Sequence, residues 1–122
     1  MKRVSDQIMQ ECRKRLLISK QDILNRFRTA QKEFIHTEKG GDEIDQSIGQ
    51  LAEHSFLVAQ ERMRNQLMEI ESALARLEQG TFGFCEETDE LIETERLLAI
   101  PWTRLSIEGA ELREAVSRRY AR

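Results

Sequence analysis

Glu38-Lys39-Gly40-Gly41-Asp42 separates two long runs of sequence in which apolar residues recur at helical spacing. Paired glycines end a helix and an aspartate caps the next one, so this segment predicts a break between two helices. The first run has apolar residues at steps of three, four or seven, namely Ile8, Cys12, Leu16, Ile23, Phe27, Ala30 and Phe34. The second run continues the pattern with Ile48, Ala52, Ala59, Met63, Leu67, Ile70, Leu74 and Leu77.

The two runs mirror one another about Gly41. The residue numbers of the pairs 8 and 74, 12 and 70, 23 and 59, 30 and 52, and 34 and 48 each sum to 82. Folding the chain back at the glycines therefore sets apolar residues against each other, with one residue of slip at Leu16 and Leu67. The pattern predicts a long antiparallel coiled-coil hairpin over 1–79, with arms over about 5–37 and 43–79 and a tip over 38–45. Roughly 31 residues per arm at 1.5 Å each make arms of about 46 Å.

The composition is typical of a helix-rich protein with a narrow apolar seam. Of 122 residues, 39% are hydrophobic and 34% are charged, and the formal net charge is -3. That charge gives no general attraction to nucleic acid or acidic membranes, so we expect neither direct DNA binding nor membrane binding. Cys12 and Cys85 lie far apart and suggest no disulfide framework, and no apolar stretch is typical of a signal peptide. We expect a reduced, cytoplasmic protein.

A second, small globular domain is predicted over 80–122. Gly80 and Gly83 end the second arm, and two very short strands, with Phe82 and Phe84 in one and Leu91 and Ile92 in the other, flank an acidic turn over 87–90. Helices are predicted over 93–100 and 107–120. Roughly 40 residues rarely build a stable core without a disulfide, a metal or docking. We therefore expect packing on the end of the hairpin through Phe82, Phe84, Leu98, Trp102 and Leu105.

These residues carry a resemblance to the DksA/TraR family of bacterial transcription factors, from about Leu17 onward. The family's zinc-finger pattern is matched in register by Gly80, Phe82, Gly83, Cys85, Arg96, Leu97, Ala99, Pro101 and Leu105. Its tip motif, D-x-x-D-x-A, corresponds to Asp42-Glu43-Ile44-Asp45-Gln46-Ser47, with serine in place of alanine. The resemblance implies a mainly α fold, in which a coiled-coil hairpin carries a small α(β) domain of degenerate zinc-finger type.

The zinc site of the family is largely lost. Of its four cysteine positions only Cys85 is kept, and the others are Thr88, Ser106 and Gly109. Structural zinc needs four nitrogen or sulfur donors, so we predict no metal and place the chain in the cysteine-poor branch. A structural zinc contributes on the order of 10 kcal/mol to folding. Packing around Trp102 is expected to replace it, with a lesser part for ion pairs between the acidic stretch 86–95 and Arg104, Arg113, Arg118 or Arg119.

The resemblance also implies a function. Family members bind RNA polymerase and insert the acidic tip into its secondary channel, where they modulate promoter complexes without cutting RNA. The tip residues are Asp42, Asp45 and Ser47; we assign Asp42 mainly to helix capping, Asp45 to the functional contact and Ser47 to shaping it. Arg62 matches a polymerase-facing arginine. No catalytic residue is expected.

No cofactor is expected. Where some members bind the alarmone ppGpp through basic residues, this chain has Glu69, Ile100 and Ala110, which do not suit a phosphate-rich anion. Two alternatives stay open: a Gre-type transcript-cleavage factor, whose tip acids hold magnesium, and a structural coiled-coil adaptor. The self-paired seam predicts a monomer, with an arm-exchanged dimer as the alternative.

Overall fold

The computed structural model describes residues 2–40 and 46–120. Four helices are present in this part of the chain: α1 (Asp6–Gly40), α2 (Gln46–Gln79), α3 (Thr94–Ala99) and α4 (Ile107–Tyr120). Ser5 is the N-cap of α1, because its hydroxyl oxygen accepts a hydrogen bond from the backbone N–H of Ile8 at 3.2 Å. The mainly α fold is thus confirmed. Within the described ranges there is no strand, and a single antiparallel bridge between Phe84 and Leu91 stands where two very short strands are predicted.

The chain forms two compact units. Unit 1 combines Met1–Leu17 with Glu69–Arg122, and unit 2 is Ile18–Met68. Each unit therefore contains one part of α1 and one part of α2. The division into domains at residues 79 and 80 stays a prediction. No helix among the described residues is long and apolar enough to cross a membrane.

Unit 2 is held by a thin seam whose register differs from the predicted one. The ring of Phe34 stacks on Phe56, with centroids 4.1 Å apart, whereas the mirror pattern pairs Phe34 with Ile48. Ile48 is 60% exposed, and Ala52 and Ala59 are exposed as well. The prediction that these three residues lie in the seam is wrong.

Gln60 explains the error. The stripe of α2 that faces inward runs through Phe56, Gln60, Met63 and Leu67, an unbroken alternation of four and three residues. Because Gln60 is polar, the stripe is interrupted in the sequence at one of its most buried positions, where the side chain is only 6% exposed. Its amide nitrogen has no hydrogen-bond partner among the described residues. The apolar residues on the neighbouring face therefore gave the more regular, but incorrect, pattern.

The core of unit 1 joins both long helices to the C-terminal segment. Its buried apolar side chains are Val4, Cys12, Leu16, Ile70, Ala73, Leu77, Phe82, Cys85, Ile92 and Leu97. Trp102 and Phe84 do not belong to it, since they are 36% and 38% exposed. The prediction that packing around Trp102 replaces the metal is therefore wrong, and the smaller Phe82, Ile92 and Leu97 form the centre.

Val4, which precedes α1, packs against the C-terminal segment. Gly83 has a positive φ of 91°, and a Cβ built on it would overlap the Val4 side chain and approach Leu97. Glycine is required here both for the backbone conformation and for the close approach. The segment before α1 is thus part of the C-terminal core.

Arginine side chains hold the irregular segment between α3 and α4. Arg15 donates to the carbonyl oxygen of Leu98 at 2.6 Å, and Arg96 donates to that of Leu105 at 2.8 Å. Arg76 donates to the carbonyl oxygens of Trp102 and Thr103 at 3.4 and 3.5 Å. These bonds satisfy carbonyl groups that no helix satisfies. Arg15 fastens the last turn of α3 to α1, whereas Arg76 and Arg96 fasten the segment after α3 to α2 and α3.

Candidate functional site

The predicted tip is described only at its edge. Asp42 and Asp45 lie outside the described residues. Ser47 lies in the first turn of α2, with an exposed side chain. Arg62 is exposed on the same helix, roughly 22 Å further along its axis at 1.5 Å per residue. It lines a shallow depression of about 320 Å³ together with His54, Ser55, Val58 and Ala59.

Three of the four former zinc positions lie in direct proximity. A Cβ built on Gly109 would overlap the sulfur of Cys85 and would lie 3.3 Å from the hydroxyl oxygen of Ser106. Cys85 is 1% exposed and Ser106 is 5% exposed. The fourth position, Thr88, lies on the turn that follows Cys85 and forms hydrogen bonds to the Cys85 sulfur. The cysteine pattern of the family therefore survives as a packing arrangement.

The replacements of the zinc cysteines make local hydrogen bonds. The Ser106 hydroxyl accepts from the backbone N–H of Gly109 at 3.0 Å and so caps α4. The Thr88 hydroxyl accepts from the N–H of Glu90 at 3.3 Å. The N–H of Cys85 donates to the Glu90 carbonyl at 2.7 Å, which closes the turn, and Asp89 has a positive φ of 59° within it. Both turns are thus stabilised by bonds that need no metal.

The two cysteine thiols differ in acidity. Burial raises the pKa of Cys85. Hydrogen bonds from the hydroxyl and N–H groups of Ser106 and Thr88 lower that pKa by more than burial raises it, so that it falls to about 6. Cys12 donates weakly to the carbonyl oxygen of Leu97 at 3.5 Å, and burial raises its pKa. Polar groups therefore surround one sulfur, whereas the other is a small buried hydrophobe.

The residues at the former zinc positions do not fit a zinc ion. They supply one thiol and two hydroxyls that already accept backbone hydrogen bonds, while Gly109 supplies no donor atom. The close approach of Gly109 to Cys85 also fills space that a fourth ligand would need. Within the described residues, no group of three or more His, Cys, Asp or Glu side chains is placed to hold a metal.

Neighbouring carboxylates are engaged by arginines. Arg104 pairs with Glu69 and with Glu86, each at 2.9 Å, and Arg113 pairs with Glu87 at 2.7 Å and with Glu86 at 3.6 Å. We call these five residues the charge cluster. The hydrogen bond that Arg104 donates lowers the pKa of Glu86, and the hydrogen bonds that Glu69 and Glu86 accept from Arg104 raise the pKa of Arg104.

Part of the charge cluster is predictable from the sequence. The expected pairing of the acidic stretch with Arg104 and Arg113 is confirmed. Arg118 pairs instead with Glu114 of its own helix, at 2.7 Å. The role of Glu69 in the cluster was missed, because it lies 35 residues from Arg104 and nothing in the local sequence marks the pair.

The three positions assigned to nucleotide binding in some family members offer no cation. Glu69 is occupied by Arg104, and Ile100 and Ala110 are half-buried and apolar. An anion with several phosphates would meet a carboxylate at this place, which is unfavourable.

Comparison with known proteins gives consistent matches over most of the chain. Residues 80–115 match a family model described as the prokaryotic dksA/traR C4-type zinc finger. The RNA polymerase-binding transcription factor DksA of Caulobacter vibrioides is 33% identical over 115 residues, which cover 91% of this chain and 79% of that protein. General stress protein 16O of Bacillus subtilis is 30% identical over 106 residues, covering 73% of this chain and 64% of that protein. The structure of transcription factor DksA2 from Pseudomonas aeruginosa matches with a TM-score of 0.86 and 32% identity, covering 93% of this chain and 88% of that one.

Proposed function

Because this chain belongs to the DksA/TraR family, we propose that it is a transcription regulator that binds RNA polymerase and acts through its hairpin tip in the secondary channel. The observation that carries the proposal is the match of 91% of the chain to a protein named as an RNA polymerase-binding transcription factor. The match includes both long helices and the C-terminal segment. We further propose that the protein is cytoplasmic, monomeric and not an enzyme.

The tip carries the regulatory effect in this proposal. In the sequence, Asp45 contributes a charge that helix capping by Asp42 does not require. Ser47 follows two residues later, in the first turn of α2. Asp45→Asn should leave polymerase binding intact but remove most of the effect on promoter-complex lifetime. Asp42→Asn should be milder, because asparagine caps a helix about as well as aspartate. A full transcriptional effect of the Asp45→Asn protein would refute this assignment.

Arg62 is proposed to contact polymerase. Its exposed guanidinium borders the shallow depression on α2, and no hydrogen bond or ion pair of that group is present within the described residues. Arg64 is the matched control, since it is also exposed on α2 but is bonded to Glu61 at 3.4 Å. Arg62→Ala should weaken the affinity for polymerase, and Arg64→Ala should leave it nearly unchanged. Equal effects of both would show that only general charge matters.

We propose that the protein folds and works without zinc. The donor set at Cys85, Thr88, Ser106 and Gly109 supports this, as does the engagement of Glu86 and Glu87 by arginines. Metal analysis of the purified protein should find well under one zinc per chain, and a chelator should leave its fold intact. Stoichiometric zinc that is released by Cys85→Ser would overturn the proposal.

We also propose that this chain builds no ppGpp site of its own. The ion pair between Glu69 and Arg104 supports this, because it neutralises the nearest cation with a carboxylate. Binding of ppGpp to the mixture of this protein and polymerase should equal binding to polymerase alone.

The two other classes make different predictions. A Gre-type factor would stimulate RNA cleavage in stalled complexes, whereas this protein should not. A coiled-coil adaptor would bind no polymerase. Co-purification with polymerase, followed by competition with a Gre-type factor for the same enzyme, separates the three classes. Failure of the wild-type chain to compete would return it to the adaptor class.

A further inference from the structure

Arg104 connects separate parts of unit 1 through all three of its guanidinium nitrogens. Nε donates to Glu69 of α2 at 2.9 Å, and Nη1 donates to Glu86 at 2.9 Å. Nη2 donates to the hydroxyl of Ser72 on α2 at 2.9 Å and to Glu69 at 3.4 Å. A single side chain thus joins α2 to the turn that follows Cys85.

The connection to that turn is double. The backbone N–H of Glu86 donates to the carbonyl oxygen of Arg104 at 2.9 Å, in addition to the bond between their side chains. Glu86 is adjacent to Cys85 in the chain, and Arg104 lies two residues before Ser106. The two residues therefore cross-link the two turns on which the former zinc positions lie.

Arg113 extends the cluster to α4. It donates to Glu87 with Nε at 2.9 Å and with Nη2 at 2.7 Å. The second oxygen of Glu86 lies 3.6 Å from Arg113 Nη2, so this carboxylate lies between two arginines. Arg76 on α2 is a further cation of this region; burial lowers its pKa, and so does the nearby charge of Arg104. With Arg76 included, the three positive charges of the arginines equal the three negative charges of Glu69, Glu86 and Glu87.

We propose that Arg104 performs in this chain the cross-linking role that a metal performs in a zinc finger. It joins the turn after Cys85 to the turn before α4 and fastens both to α2. Because charges make this link, the stability of unit 1 depends on ionic strength and acidity. The inference deepens the proposal of a zinc-free fold, and its test is independent of metal analysis.

The coupling of the cluster gives it more weight than isolated ion pairs have. Exposed pairs contribute little singly, because water and salt screen them. The Arg104 side chain is 33% exposed, less than those of Glu69 and Glu86 at 42% each, and three different acceptors fix the geometry of its guanidinium. Removing this one side chain breaks its bonds to Glu69, Glu86 and Ser72 together, and leaves only the backbone hydrogen bond between Glu86 and Arg104 to join the two turns at this point. Removing an ordinary surface arginine breaks only one contact.

The test compares Arg104→Gln with Arg118→Gln. Both changes remove one positive charge, but among the described residues Arg118 pairs with Glu114 alone, on its own helix. Thermal unfolding is followed by the fluorescence of Trp102, the single tryptophan, in low salt and in 1 M NaCl, where the screening length is about 3 Å. We expect Arg104→Gln to lower the Tm by about 4–8 °C in low salt and by less than half of that in 1 M NaCl. Arg118→Gln should change the Tm much less.

Two further arms keep the result decisive. Glu69→Gln removes the charge that Arg104 contacts through Nε and Nη2, and it serves if Arg104→Gln does not fold; it should give a smaller loss with the same salt dependence. Combining Arg104→Gln with Glu86→Gln should cost less than the two single losses together, because they share one bond. Equal effects of Arg104→Gln and Arg118→Gln, or a loss that 1 M NaCl leaves unchanged, would overturn the inference. A chelator that lowers the Tm would instead refute the zinc-free proposal and leave the salt result readable.

Discussion

Replacement of Gly109 by alanine would test whether Cys85 and α4 are in tight contact. The added Cβ would overlap the Cys85 sulfur and lie 3.3 Å from the Ser106 hydroxyl oxygen and 3.4 Å from the Glu87 Cβ. Cys85 is 1% exposed, so its sulfur has little room to move aside. The helix must then shift away from the turn that follows Cys85.

Two opposing terms set the magnitude. Alanine in place of glycine favours a helix by about 1 kcal/mol. Overpacking of a closed site costs about 1–3 kcal/mol. We therefore expect Gly109→Ala to lower the free energy of unfolding by up to about 2 kcal/mol, although helix propensity alone would raise it.

A double-mutant cycle with Cys85→Ala isolates the contact. Without the sulfur, the alanine Cβ at position 109 has space, so Gly109→Ala should become neutral or stabilising by up to about 1 kcal/mol in that background. Urea unfolding, followed by Trp102 fluorescence, gives the four free energies. The reasoning is refuted if Gly109→Ala has the same effect in both backgrounds, or if it stabilises the protein that retains Cys85.

Three further predictions concern single side chains. Trp102→Ala should cost less than about 2 kcal/mol, well below the 3–5 kcal/mol of a buried tryptophan, because the side chain is 36% exposed; helix unfolding by circular dichroism measures this, and a larger cost would mean burial in solution. Gln60→Leu should raise the stability of the hairpin by about 1–3 kcal/mol, since it removes a buried amide nitrogen that has no partner among the described residues; a loss in urea unfolding would contradict this. The pKa of Glu86 is held below its ordinary value of 4.5 by the hydrogen bond from Arg104, so this carboxylate stabilises the fold at neutral pH and the gain is lost as the pH falls below about 4.5. Glu86→Gln should therefore flatten the loss of stability in acid, and an unchanged acid transition would count against the pairing.

The sequence predicted the helices well because their signals are local. Gly80 and Pro101 follow the ends of α2 and α3 closely, and α4 has the predicted limits, whereas α1 continues to Gly40, beyond the predicted end at about 37. The pairing of α1 with α2 is a different matter, since periodicity determines a face but not which residues meet. Gln60 lies on the inner face and therefore obscured the heptad pattern.

The residues of the candidate site could be predicted from the sequence, but the contacts that stabilise the site could not. The family pattern identified Cys85, Thr88, Ser106 and Gly109, of which three lie in direct proximity. What replaces the missing ligands depends on contacts between distant segments, such as Glu69 with Arg104. A burial role was predicted for Trp102 because tryptophan is large. In the structure, Arg76 binds the carbonyl oxygen of Trp102, and the side chain is partly exposed to water. Such tertiary choices have no signature within a local stretch of sequence.

Unit 1 combines two segments that are distant in the sequence, and this affects the order in which the two units can fold during synthesis. Val4 packs near Gly83 and Leu97, and the Cys12 thiol bonds to Leu97 across 85 residues of sequence. On the ribosome, the first helix therefore emerges long before its partners exist, whereas unit 2 needs only the contiguous segment Ile18–Met68. We expect unit 2 to fold first and the start of α1 to remain unpacked, with Leu16 and Cys12 exposed, until residues 80–120 have been released. Truncation within residues 80–120 would then leave a helical hairpin with Cys12 and Leu16 exposed. Such a chain would be prone to aggregate, and quality-control proteases would be expected to degrade it.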